Sequence, residues 1–267
     1  MKPLNMRRTP VRRKIAAATW RPSRDGRIYA RLEVDVSPAL AYADRVLEES
    51  GITVSVTHIV GAALARVLRE VPEFRARMVF GRVVPLETCD IAFAVDIAGG
   101  SDLAPIKVRG ADTLTPAEVA TALQRGAERL RAGRDEAYGR TSRLVELAPA
   151  WAIRPVLAMS SVLSGGLGRP AFGQPGFPLG TAFVSNVGTV GLDEAFLAPL
   201  PFARTPVYLA VGAQRERALV IDGEIVVRPT VVLVATADHR LGDGSHAGEM
   251  VDGMKRLIAD PSLMDRA

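Results

Sequence analysis

The chain has 267 residues, 48% hydrophobic and 24% charged, proportions that fit a globular protein with a sizeable core and exclude a largely disordered one. Its single cysteine, Cys89, excludes an intrachain disulfide framework and a cysteine-rich zinc site, and suits a reducing cytoplasm. The net charge of +5 comes without aromatic interleaving or zinc-finger spacing, so the basic excess gives no support for a nucleic-acid partner.

In chain order, the opening MKPLNMRRTPVRRK is basic, and the IAAATW that follows is too short for the apolar region of an export signal. Residues 30–37, ARLEVDVS, alternate apolar and polar as a half-buried strand does. ALAYADRVLEES, after Ser37-Pro38, has helical spacing and stops at Gly51. A second helix is predicted over 57–71, with Thr57 as N-cap and Pro72 as terminator. MVFGRVVPL and CDIAFAVDI read as strands flanking a turn, and DLAPIKVRGAD as a strand leaving a Gly-Gly loop. From Thr115, TPAEVATALQRGAERLRAGR carries a capping threonine, a first-turn proline and Glu118, which together predict a long helix. Beyond Gly180 the strands GTAFVSNVG, PVYLAVGAQ, ALVIDGEIVVRP with its Asp-Gly turn, and TVVLVATADH precede a last helix over Gly244–Ile258.

Residues 141–179 stand apart. Their apolar first half is broken by Pro149, Arg154 and Pro155, which argues against the run of about 20 apolar residues that a membrane span needs. A buried or interface-seeking helical hairpin is expected instead. Large groups such as Leu144, Leu147, Trp151, Val156, Met159 and Leu163 should be covered, because each gains roughly 1.5–3 kcal/mol on burial. Three readings stay open: packing on the chain or its oligomer, walling a ligand pocket, or seating against a membrane. The glycines of SGGLGRPAFG do not follow a strand in dinucleotide-binding order.

Two of the three histidines fall in TADHRLGDGSHAG, residues 236–248. A buried strand delivers His239 to a loop, where an imidazole can act as general base near neutral pH. Asp243, four residues on, is close enough to orient that loop; a structural or surface histidine is the alternative. His58 reads as a satisfied core residue, His246 as part of the last helix's first turn, Cys89 as a small buried hydrophobe, and Ser185-Asn186 as a capped turn. These groups make no metal set.

Asp238-His239-Arg240-Leu241-Gly242-Asp243-Gly244 resembles the D-H-R-x-x-D-G signature of the acyltransferase component of 2-oxo acid dehydrogenase complexes, related to chloramphenicol acetyltransferase. GTAFVSNVGTVG, PVYLAVGAQRERALVIDGEIVVRP, VRRKIAAATW and CDIAFAVDIAGGSDLAPIKV resemble other parts of that family, leaving 141–179 as an atypical insert in a single catalytic domain spanning 1–267. The resemblance implies a two-layer α/β sandwich, a mixed sheet flanked by helices, of the chloramphenicol acetyltransferase type. It implies an acyltransferase using coenzyme A or acyl-coenzyme A, with a dihydrolipoyl-like thiol, carried on another protein, or another small acceptor. His239 would take the thiol proton, Ser185 would donate to the oxyanion, and Asp243 would hold the loop with an arginine from the N-terminal motif, best matched by Arg12. The family's site lies between subunits of a trimer. Members also carry lipoyl and subunit-binding domains ahead of the catalytic one, so this chain is expected to be an excised domain or a stand-alone enzyme, the insert favouring the latter. A non-catalytic trimeric scaffold or regulator is the competing reading. DPSLMDRA, with Asp265 and Arg266 beside its last apolar pair, differs from the apolar tail that joins trimers in the family's larger cores, so a closed trimer is expected. Gly242 is small where the family has a larger residue.

Overall fold

The computed structural model describes residues 26–96, 103–132 and 149–265. Nine strands and five α-helices are seen among them. The strands are β1 (Arg27–Asp35), β2 (Ala76–Val79), β3 (Arg82–Pro85), β4 (Ile91–Asp96), β5 (Leu103–Val108), β6 (Ala182–Asn186), β7 (Val207–Val211), β8 (Arg215–Ile221) and β9 (Glu224–Asp238). The helices are α1 (Ser37–Ser50), α2 (Val56–Glu70), α3 (Pro116–Arg131), α4 (Ala150–Ser160) and α5 (Gly244–Ala259).

The main sheet runs β1-β9-β7-β6-β4-β5, with β8 also on β9. It is mixed: β4, β6 and β7 are mutually parallel, and the remaining pairings are antiparallel. On one face, Ile59, Leu64, Leu68, Phe74, Leu257 and Ile258 join the inward residues of the sheet in a single core beneath the helices. The opposite face carries Tyr208, Ala92 and Leu179, covered by the chain around Leu200–Ala203. This is the expected two-layer α/β arrangement.

Local chemistry accounts for most element ends. Gly51 takes a left-handed conformation (φ 70°) to close α1. Thr115 and Glu118 form the expected capping box on α3. At α2 the expectation is corrected: Ser55, not Thr57, is the N-cap, and its hydroxyl accepts the His58 N–H. MVFGRVVPL is not one strand; β2 and β3 form a separate hairpin that turns at Phe80-Gly81, both at positive φ. The two last strands expected, either side of Pro229, are one 15-residue strand, β9.

The segment after 141 also differs from expectation. Helix α4 runs into a π-helical turn, Ser161–Gly166, and no second helix follows before Leu179 among the described residues. Ile153 is buried, but Trp151, Val156 and Met159 are exposed. Leu144 and Leu147 lie outside the described residues, as does the Gly-Gly loop after β4.

Candidate functional site

The end of β9 builds a tight turn. The Asp238 carbonyl accepts the Leu241 N–H at 3.1 Å, which places His239 and Arg240 at the turn's centre. Arg240 Nε donates to Asp238 Oδ1 at 2.8 Å, so the residues flanking His239 clasp each other. The His239 N–H donates to the Gly26 carbonyl at 3.2 Å, tying the turn to the start of β1.

The imidazole itself is oriented by one contact. His239 Nδ1 lies 2.8 Å from the Gly242 carbonyl oxygen. A carbonyl only accepts, so Nδ1 carries the proton of the neutral ring and Nε2 keeps a free lone pair. The residue as a whole is exposed. Gly242 is held tightly in turn: a Cβ there would stand 2.7 Å from Cζ of the fully buried Phe74.

Asp243 is the N-cap of α5. Its carboxylate accepts from the Ser245 N–H at 3.0 Å and the Ser245 hydroxyl at 2.7 Å, and His246 Nδ1 lies 2.9 Å away. Ser245, through its hydroxyl and then its N–H, holds the Asp243 carboxyl down at about 2. Asp243 thus caps α5, and among the described contacts it makes no hydrogen bond to His239. Arg12 lies outside the described residues.

Ser185 is buried near the end of β6 and pairs with Ala210 of β7. Along β6, Ala182 and Val184 join the core beneath the helices and Phe183 the cluster on the opposite face, so alternation turns Ser185 away from the helices. Register measures its separation from His239. Ala237 pairs with Val207, three residues before Ala210, and His239 lies two residues further out. At 3.3 Å per residue the two lie roughly 15 Å or more apart within one chain. Asn186 makes the capped turn: its Nδ2 donates to Thr57 Oγ1 at 2.7 Å, and its side-chain carbonyl accepts the Thr189 N–H at 3.3 Å.

The other singled-out residues have structural places. His58 Nδ1 accepts the Ser55 N–H at 3.1 Å, a cap rather than a core contact. Cys89 is buried, with its Sγ 3.4 Å from the Ala65 carbonyl, and burial pushes its thiol up to about 12. Sequence reading missed Gly26, Phe74 and the Gly242 carbonyl. Only the Asp238–Arg240 clasp left a signal, in the D-x-R spacing.

The model of the 2-oxoacid dehydrogenases acyltransferase catalytic domain matches residues 5–139 and 177–265. The chain belongs to this family. The residues between the two matched stretches, 140–176, include α4 and the π-helical turn. A probable dihydrolipoyllysine-residue succinyltransferase component of the mitochondrial 2-oxoglutarate dehydrogenase complex of Schizosaccharomyces pombe is 24% identical over 87% of this chain and 44% of its own length. The chain thus spans under half the length of the curated relatives first matched. Among solved structures, a probable dihydrolipoamide acetyltransferase of Listeria monocytogenes superposes with a TM-score of 0.67 at 19% identity, covering 93% of this chain and 89% of that one. A chloramphenicol acetyltransferase superposes at 0.51 and 15% identity, covering 94% and 99%. The acyltransferase fold is therefore shared across both. No helix among the described residues is long and apolar enough to cross a membrane.

Proposed function

We propose that the protein is an acyltransferase that moves an acyl group between coenzyme A and a thiol, dihydrolipoyl-like or another small acceptor, at sites formed between the subunits of a homotrimer. The observation that carries this is the 2.8 Å contact of His239 Nδ1 with the Gly242 carbonyl, which favours the tautomer protonated on Nδ1 and leaves Nε2 of this exposed residue as the base.

His239 Nε2 takes the proton of the acceptor thiol, and the resulting thiolate attacks the thioester carbonyl. The carbonyl oxygen becomes an oxyanion, to which the Ser185 hydroxyl donates. Collapse of the tetrahedral adduct breaks the original carbon–sulfur bond, and the imidazolium returns its proton to the leaving thiolate. Within one chain His239 and Ser185 lie at opposite ends of the sheet, so the base of one subunit acts with the serine of a neighbour. Asp243, capping α5, keeps the loop rigid while the base changes charge.

The test is thiol release from a panel of acyl-coenzyme A donors. His239→Ala should remove most activity with melting temperature and oligomer mass nearly unchanged, and Ser185→Ala should lower the rate about 10²-fold. Full activity in the His239 variant ends the reading of His239 as the base, and no thiol release by the wild type with any donor favours a scaffold.

A further inference from the structure

Arg77, in the middle of the short strand β2, is 7% exposed. Its Cζ sits 3.6 Å from the centroid of the Phe177 ring, a stacking that shelters the charge without neutralising it. Its Nε and Nη1 are closed to solvent and have no acceptor. Beside it, Arg204 reaches from the loop ahead of β7, with its backbone in the left-handed region at φ 52°. Arg204 Nη1 donates to the Met78 carbonyl at 3.0 Å and Nε to Ser161 Oγ at 3.1 Å. Burial, and then the charge of Arg204, pull Arg77 down to about 10, so it remains a cation at neutral pH. Burial first and then Arg240 also lower Arg204, and among the described residues no acidic group offsets either charge.

Two hydroxyls stand in the same seam. Ser160 and Ser164 are buried at the end of α4 and in the π-helical turn, and neither Oγ has a partner. This turn packs directly on the arginine loop: a Cβ on Gly165 would stand 2.3 Å from the Phe202 carbonyl, and one on Gly166 would lie 3.7 Å from Arg204 Nη1. The Phe177 N–H, next to the ring under Arg77, donates to the Ser164 carbonyl at 3.0 Å.

A buried guanidinium with two nitrogens lacking a protein acceptor is unfavourable, and a second cation beside it makes matters worse. Forked donors of this kind match the oxygens of phosphate and carboxylate groups. We infer that Arg77 and Arg204, with the Ser160 and Ser164 hydroxyls, form a binding site for a small oxyanion at the seam between β2 and residues 160–177. The anion approaches along Arg204, the more open of the pair. Arg77, Phe177 and Arg204 lie within the residues matched to the family, and the Ser160 and Ser164 hydroxyls come from the stretch between the two matched parts. The site does not depend on His239.

The full chain is melted in chloride buffer of constant ionic strength with added phosphate, sulfate, succinate or coenzyme A, alongside Arg77→Met. At least one oxyanion should raise the wild-type melting temperature by about 5 °C near saturation, and Arg77→Met should lose that rise. Without added anion, Arg77→Met should melt no lower than wild type, because an uncompensated charge has gone. Should that variant not fold, calorimetric titration of wild type and Arg204→Gln decides, with one site per chain expected in wild type and weaker binding in the variant. Displacement of phosphate by coenzyme A, but not by coenzyme A lacking its ribose phosphate, assigns the anion to the substrate; binding of succinate alone assigns it to a carboxylate on the acyl group. Equal shifts in wild type and both variants, as salt exclusion produces, or no shift with any anion, overturn the site.

Discussion

The carbonyl of Gly242 can only accept, and its 2.8 Å contact with His239 therefore decides which ring nitrogen is basic. What holds that carbonyl in place is packing: the Phe74 ring occupies the space where a side chain would start. Gly242→Ala should destabilise the protein by about 1–3 kcal/mol through overpacking and should lower the acyl-transfer rate by shifting the acceptor of Nδ1. Adding Phe74→Leu makes room and should restore part of both losses, read as melting temperature and rate in the single and double variants. A rate unchanged in Gly242→Ala would show that the carbonyl does not orient the base. This coupling illustrates how far the site was legible. His239 and Asp243 were readable as residues because their types and spacing are chemical, whereas the partner of each depends on which backbone group the turn presents. Asp243, expected to hold the loop with an arginine, is seen capping α5 through Ser245. Phe74, 165 residues before His239, left no local trace.

Among the elements, α2 shows why boundaries were harder to read than cores. Its apolar repeat was plain, but its cap pairs Ser55 with His58, and a histidine at the third helical position is not the usual Glu or Gln signal. The consequence is a pH dependence. Burial holds the His58 imidazole down at about 4, against an ordinary 6.5, while its neutral Nδ1 accepts the Ser55 N–H. Between those values the unfolded chain binds the proton and the folded chain does not, so stability falls as pH drops from about 6.5 to about 4 and His58's contribution then levels off. His58→Gln keeps an acceptor without titrating, and its melting temperature should be flatter across that window. A wild-type curve of identical slope would remove His58 as the cause. Two other misreadings have equally local reasons. Phe80-Gly81 turns the β2–β3 hairpin without the Asn-Gly or Asp-Gly pair that marked the turn at Asp222-Gly223. Pro229 does not interrupt β9, because its carbonyl is what the sheet uses there, accepting the Val36 N–H at 2.9 Å.

At the scale of the whole molecule, the distance between His239 and Ser185 means that the proposed mechanism requires assembly, and an exposed face of one chain is a place where copies could be tested for meeting. In the β8–β9 hairpin, Val220 pairs with Ile225 and Ala218 with Val227, so these groups share one face, and Val220, Ile225 and Val227 are exposed. A cluster of aliphatic groups on a ribbon projecting past β7 is poorly suited to water and suits a neighbouring subunit. The C-terminal end is turned the other way: Met264 is fully buried, Arg66 Nη2 donates to its carbonyl at 2.7 Å, and the Tyr42 hydroxyl donates to Asp265 at 2.6 Å. Residues spent on their own chain are not free to join one trimer to another, so light scattering should give the mass of three chains and no larger assembly. Val227→Asp should dissociate that trimer while leaving the helical and sheet signals of the monomer in place, and acyl transfer should fall with it, because no subunit then supplies both base and oxyanion donor. Mixing inactive His239→Ala chains with inactive Ser185→Ala chains should restore activity, since some interfaces then join an intact histidine to an intact serine. Mixed trimers with no activity, or a dissociated Val227→Asp variant that keeps its full rate, would place the whole site within one chain and undo the shared-site reading.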